Sequence, residues 1–170
     1  MGLLWLRLHR QDERILYALL TRRRRLSDEV MSTLTHLGSA SATIGITLFL
    51  LGIPDYRPIG VVAGFALVSS HLAVQLLKRS INRQRPRLPA GCASLIEAPD
   101  RFSFPSGHAA AALSTALPIA LQVSPILGSA IVFLGLLVGV TRCYLGVHYP
   151  GDVAAGWILA IAGVLGGLAI

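Results

Sequence analysis

Five apolar runs, each bounded by proline, glycine or charged residues, limit this chain more than any other feature. They cover residues 27–51, 58–78, 108–123, 125–144 and 150–170. In hydrocarbon a backbone has to satisfy its own N–H and C=O groups, so runs of this length leave the helix as the available structure. A mean hydropathy of +0.66 with 54% hydrophobic residues is too apolar for a soluble domain of this size. The expected fold is all-α, a membrane bundle of about five transmembrane helices in a single domain spanning residues 1–170, with residues 27–170 forming the bundle.

Residues 1–26 read differently. Leu4, Leu8, Ile15 and Leu19 fall near one helical face and Arg7, Arg10 and Arg14 around the other, with Trp5 and Tyr17 as anchors and the block Arg22 to Arg25 following. That pattern predicts an interfacial amphipathic helix lying on a membrane. The run Leu3 to Leu6 is too short for the core of a cleavable signal peptide. The net charge of +7 comes with few aromatics and no nucleic-acid motif, so anionic lipid and phosphate ligands are the expected partners rather than nucleic acid. Cys92 and Cys143 suggest no disulfide framework.

Within the bundle, Asp28 and Glu29 suit the start of the first span, and residues 52–57 read as a hairpin. His71, Gln75 and Lys78 recur at i, i+4 and i+7, which predicts a polar stripe facing the bundle interior. His36 and His71 read as hydrogen-bonding groups between helices. Residues 79–104 form a long loop with Pro86, Pro89, Gly91 and Pro99, expected to deliver Arg85 and to form a lid or entrance. The third span, at roughly 24 Å, is short for a bilayer, so its start should lie at or below headgroup level, and Pro118 can kink it. Gly135 with Gly139 and Gly163 with Gly167 are spaced for close helix packing.

Chemistry concentrates where these spans begin and end. Pro105 and Ser106 suit a helix start, Ser106 as N-cap, and Gly107 allows a ligand close to the backbone. The free N–H groups there make an anion site, with His108 in the first turn able to exchange a proton with a bound group. Upstream, Lys78 is followed after six residues by Arg85-Pro86. Downstream, Arg142 is followed by His148 and Asp152. The second span ends, the third begins, the fourth ends and the fifth begins on one side of the membrane, so these clusters share a face.

Together they resemble the three motifs of the type 2 phosphatidic acid phosphatase superfamily, K-x6-R-P, P-S-G-H and S-R-x5-H-x3-D, with Thr141 in place of the serine. The resemblance spans residues 78–152 and implies an integral membrane lipid phosphatase with His148 as nucleophile, through a phosphohistidine. Asp152, one turn beyond, suits holding one imidazole nitrogen and making the other more nucleophilic. His108 would protonate the leaving oxygen and later activate water. Lys78, Arg85 and Arg142, completed by Ser106 and the Gly107 N–H, would form the charge clamp. No metal and no cofactor are expected, three cations standing where a metal would.

The expected partners are a lipid phosphate substrate and the bilayer, with a homo-oligomer open. Candidate substrates are phosphatidic acid, phosphatidylglycerol phosphate and polyprenyl-linked phosphates. The alternatives are an undecaprenyl diphosphate phosphatase acting at the outer face and a non-catalytic anionic-lipid binding module, though binding alone requires neither His148 nor Asp152. A soluble haloperoxidase with the same site fits poorly with so apolar a chain. Of the 15 basic residues, all but Arg57 fall on the face of the site, 14 against 1. The positive-inside rule then predicts a cytoplasm-facing site in a bacterial inner membrane.

Overall fold

The computed structural model describes residues 2–98 and 100–170, and side chains from His9 onward. The roles expected for Leu4, Trp5, Arg7 and Leu8 therefore lie outside the described side chains. The helices are α1 (Gly2–Leu20), α2 (Arg25–Leu34), α3 (Ala40–Gly52), α4 (Arg57–Ile81), α5 (Gly107–Ala120), α6 (Pro125–Tyr144) and α7 (Pro150–Leu168).

At the centre stands α5, in contact with α3, α4, α6 and α7. Its composition explains this place. Ala109, Ala110, Ala112, Ser114, Thr115 and Ala116 are all buried, and side chains this small let several backbones approach at once. Ser114 and Ser70 of α4 meet hydroxyl to hydroxyl at 3.1 Å, a polar tie inside the bundle. The bulky apolar residues point the other way: Leu48, Phe49, Val68, Leu76, Ile126, Phe133, Ile158 and Leu165 are exposed. That is the surface a hydrocarbon solvent favours.

The helices α4, α6 and α7 are long and apolar enough to cross a membrane, and α2 with α3 makes a fourth crossing if the bent pair is one span. The first expected span is thus broken. A single turn of tighter helix (Thr35–Gly38) follows α2, and the pieces meet at 48°. Ser39 restarts the helix by accepting the Ala42 N–H at 3.2 Å. Gly38 is needed at the break, because a Cβ there would lie 2.9 Å from the His108 carbonyl oxygen. The central helix α5 has 14 residues, about 21 Å.

Two expectations are corrected. His71 and Gln75 are exposed and bond each other at 3.4 Å rather than facing inward. The buried stripe of α4 runs Ala63, Ala66, Ser70, Val74 and Lys78, so of the three polar residues only Lys78, at the end of the helix, is buried. At the amino-terminal end, α1 lies against the bundle by Leu16 and Leu20, which are buried with Ala109, Cys143, Tyr149 and Val153. Ile15 is exposed, while Tyr17 donates to the Arg87 carbonyl at 3.2 Å. Arg23, expected to serve a lipid surface, donates to the carbonyls of Ala93 and Tyr144.

Candidate active site

Four helix ends and one loop converge to make the site. The α4 helix ends at Asn82 in the left-handed conformation (φ 52°), and directly after it the loop is pinned to its own far end. Ser103 is fully buried, its N–H bonding the Arg83 carbonyl at 2.8 Å and its hydroxyl the Gln84 carbonyl at 3.0 Å. This fixes Arg85 opposite the start of α5. Ser106 caps α5 by accepting the Ala109 N–H at 3.4 Å, and its own N–H donates to the Asp152 carbonyl at 2.9 Å. Gly156 makes room for that contact: a Cβ there would stand 2.6 Å from the Ser106 carbonyl oxygen.

At the end of α6 the chain reverses through Gly146 (φ 82°), so that the N–H groups of Val147 and His148 both reach the Arg142 carbonyl, at 3.1 and 3.3 Å. Asp152 then opens α7 as its capping carboxylate, Oδ2 accepting the Tyr149 N–H at 2.8 Å. The same Oδ2 lies 3.5 Å from His148 Nδ1, at the outer edge of hydrogen-bonding range. On the other side of the ring, Arg85 Nη1 is 3.0 Å from His148 Nε2 and donates to the Val147 carbonyl at 2.7 Å. An Nη1–H facing Nε2 leaves the ring proton on Nδ1, toward Asp152, and the lone pair on Nε2, toward the cations.

His148 is almost wholly buried. Burial pushes its imidazole down, to about 4, with Asp152 opposing and Arg85 and Arg142 assisting. The ring is therefore neutral at physiological pH, the form a nucleophile needs.

Lys78 and Arg85 share one carboxylate. Asp100 Oδ2 lies 2.5 Å from Lys78 Nζ and Oδ1 lies 3.0 Å from Arg85 Nη2. Burial works against the charge of Asp100, but the Lys78 hydrogen bond and the charges of Lys78 and Arg85 hold its carboxyl below the usual value. Arg142 is buried to 2% exposure, and its Nη1 donates to Thr35 Oγ1 at 2.8 Å. Its Nε finds no acceptor among the described residues. A buried guanidinium with an unanswered N–H is suited to an anion. His108, half-buried in the first turn of α5, lies in the electrostatic field of Arg142, His148, His36 and Lys78 and forms no side-chain hydrogen bond among the described residues.

All eight expected residues thus lie at one end of the bundle, with His148, Asp152 and Arg85 in direct contact. Four others were not expected: Asp100 between the cations, Thr35 on Arg142, and Arg83 with Asp12 behind Asp152. Arg83 and Asp12 sit in arginine-rich stretches where nothing in the sequence distinguishes them. Among the described residues no group of three or more His, Cys, Asp or Glu side chains could hold a metal ion.

A helical bundle with a buried histidine between a carboxylate and a set of cations defines a class: membrane-embedded proteins built to hold a phosphoryl group. The model of the PAP2 superfamily matches residues 59–170, and the chain belongs to that superfamily. It is 38% identical over 122 residues to the decaprenylphosphoryl-5-phosphoribose phosphatase of Mycobacterium tuberculosis, covering 65% of this chain and 62% of that one. It therefore spans less than two thirds of that relative's length. It is 31% identical over 163 residues to phosphatidylglycerophosphatase B of Bacillus subtilis, covering 88% of this chain and 78% of that one. Its fold resembles the crystal structure of Aquifex aeolicus LpxE, with a TM-score of 0.82 at 24% identity over 92% of this chain and 94% of that one.

Proposed function

We propose that this protein is an integral membrane lipid phosphatase that removes a phosphate monoester from a lipid head by way of a phosphohistidine. The observation that carries this reading is the two-sided environment of His148, with Asp152 at Nδ1 and Arg85 at Nε2. His148 Nε2 attacks phosphorus while the ester P–O bond breaks, and His108 gives its proton to the leaving lipid oxygen. His108 then takes a proton from water, which attacks the same phosphorus. The P–N bond breaks, His148 is restored and inorganic phosphate leaves.

Lys78, Arg85 and Arg142 balance the charge that spreads over the phosphoryl oxygens, assisted by the Ser106 hydroxyl and the Gly107 N–H at the start of α5. The Asp100 carboxylate, which engages both Lys78 and Arg85, supports this reading by showing that the two cations can share one pair of anionic oxygens. The relatives' named substrates, a decaprenyl-linked sugar phosphate and phosphatidylglycerophosphate, favour a phosphate on a lipid anchor as the substrate class.

In this reading the chain makes five crossings: the bent α2–α3 pair, α4, α5, α6 and α7. With about 21 Å in α5 against a hydrocarbon core of ~30 Å, the cradle lies below headgroup level. The helix α1 lies at the interface on the same side, and the charge imbalance puts that side in the cytoplasm of a bacterial inner membrane.

The test is phosphate release from a panel of lipid phosphates by the purified protein in detergent. His148→Ala should lose turnover by about 10³-fold or more while still binding vanadate. Brief exposure to radiolabelled substrate should leave label on wild-type protein that is acid-labile and alkali-stable. Near-normal turnover in the variant would remove the histidine mechanism. Binding of lipid phosphate without release by wild-type protein would favour the binding module.

A further inference from the structure

Behind Asp152, on the side away from His148, lies a second set of charges that the reaction scheme leaves unused. Arg83 Nη1 donates to Asp152 Oδ1 at 2.7 Å, and Arg83 Nη2 donates to Asp12 Oδ2 at 2.6 Å. Asp12 Oδ1 in turn accepts the Gly151 N–H at 2.8 Å, one residue before Asp152. The guanidinium carbon lies 4.2 Å from the centre of the Tyr149 ring, and His9 Nδ1 is 3.1 Å from Arg83 Nη2. Asp152 is fully buried, and the side chains of Arg83 and Asp12 are only 9% and 14% exposed.

A carboxylate without water needs a cation to stay ionised in place, and Arg83 fills that need. Yet a lone Asp152–Arg83 pair has no net charge. It would do little for the positive charge that builds on the His148 ring as Nε2 bonds to phosphorus. Asp12 changes this balance, because two carboxylates around one guanidinium leave one net negative charge beside the imidazole. Asp12 comes from α1, outside the residues 59–170 matched by the family model.

We propose that Arg83 and Asp12 are positioning residues for the reaction. Arg83 fixes Asp152 in the orientation that faces His148, and Asp12 keeps that assembly negative. The helix α1 is thereby part of the catalytic apparatus as well as a membrane contact. This assignment rests on the lipid phosphatase reading above, with His148 as nucleophile. The other charged and titratable groups facing His148 are Arg142 of α6, His108 of α5 and Arg85 of the loop, with Asp100 beyond Arg85.

The test compares Arg83→Gln, Arg83→Lys and Asp12→Asn with wild type in detergent. Phosphatidic acid in mixed micelles is the substrate and vanadate the probe of the clamp. Asp12→Asn keeps an oxygen for the Gly151 N–H and gives up the acceptor that faces Arg83 Nη2, and a thermal melt checks that the variant is folded. Arg83→Gln and Asp12→Asn should each lower kcat about 10- to 100-fold, the size seen for residues that orient a working histidine. KM and vanadate affinity should stay within about threefold, and Arg83→Lys should recover a large part of kcat.

In protein carrying isotope-labelled histidine, the His148 titration should move up in Arg83→Gln, which loses a cation, and down in Asp12→Asn, which loses an anion. A merely structural role does not predict opposite directions. Equal loss in kcat and vanadate affinity, no recovery with lysine, or both titrations moving the same way would overturn the assignment. The titration needs no turnover. If wild type released no phosphate from any lipid, the phosphatase reading would fall while the charge network would still be read.

Discussion

The Asp100 carboxylate holds Lys78 Nζ at 2.5 Å, in the position a phosphoryl oxygen would take in the clamp, and it reaches Arg85 with its other oxygen. On the proposed reading, substrate would have to displace this carboxylate to bind. Its carboxyl is held below the usual value by these cations, so it competes throughout the physiological pH range. Asp100→Asn should therefore tighten vanadate binding by about 10-fold or more, the order of one charge-assisted hydrogen bond. Inhibition curves on wild type and variant check it; weaker binding in the variant would mean that Asp100 organises the clamp instead of occupying it.

Acid should destabilise the protein through His148. Below pH 6.5 an unfolded imidazole takes up a proton that the buried one refuses until about 4, so the unfolded state gains as pH falls through that window. At about 1.4 kcal/mol for each pH unit, the loss reaches about 3 kcal/mol. His148→Gln removes this contribution. Between about pH 7 and about pH 4.5, thermal melts in detergent should show a larger fall for wild type than for His148→Gln. An equal fall would mean that the folded ring takes up its proton as readily as an unfolded one.

Gly156→Ala should damage the site from the opposite helix. The new methyl would stand 2.6 Å from the Ser106 carbonyl oxygen and 3.2 Å from the Ala109 Cβ, both fixed parts of α5. Overpacking of this kind costs about 1 to 3 kcal/mol. A lowered melting temperature is expected together with a loss of kcat, since Ser106 and His108 move with the start of α5. A variant as stable and active as wild type would show that α5 and α7 separate easily.

The orientation of the site can be read with a thiol. Cys92 packs against the Leu16–Leu20 cluster and is only partly exposed, and Cys143 is buried, so neither is a good reporter. Glu97 is exposed on the site loop. In Cys92→Ser protein carrying Glu97→Cys, a membrane-impermeant reagent should label the thiol only after cells are opened. Labelling in intact cells would place the site outside and favour the undecaprenyl diphosphate alternative.

Sequence showed which residues gather at one end of the bundle better than it showed what supports them. Lys78, Arg85, Ser106, His108, Arg142, His148 and Asp152 stand at fixed spacings because helix ends and one tight turn set their relative positions, and such spacing survives in one dimension. The buried face of α4 was misread because Ser70 and Val74 look unremarkable beside His71 and Gln75. A polar side chain in an apolar run can face inward or find a partner on its own helix, and His71 with Gln75 does the latter. The break at residues 35–39 was equally hidden, since Gly38 and Ser39 are tolerated within membrane helices. Asp12, Asp100 and Thr35 make contacts across 139, 22 and 107 positions of chain, and no local pattern encodes such pairings.

The docking of α1 has a consequence for how the protein is made. Leu16 and Leu20 rest on Tyr149 and Val153, and Asp12 on the Gly151 N–H, all more than a hundred residues downstream. A ribosome delivers α1 long before its seat exists. The helix must wait until α7 has been inserted, and its exposed Arg10 and Arg14, with Leu16 and Leu20 not yet docked, suit it to the membrane surface meanwhile. On the proposed mechanism, a chain without α7 in place lacks Asp152 and the seat of α1, and so could not yet turn over a lipid phosphate.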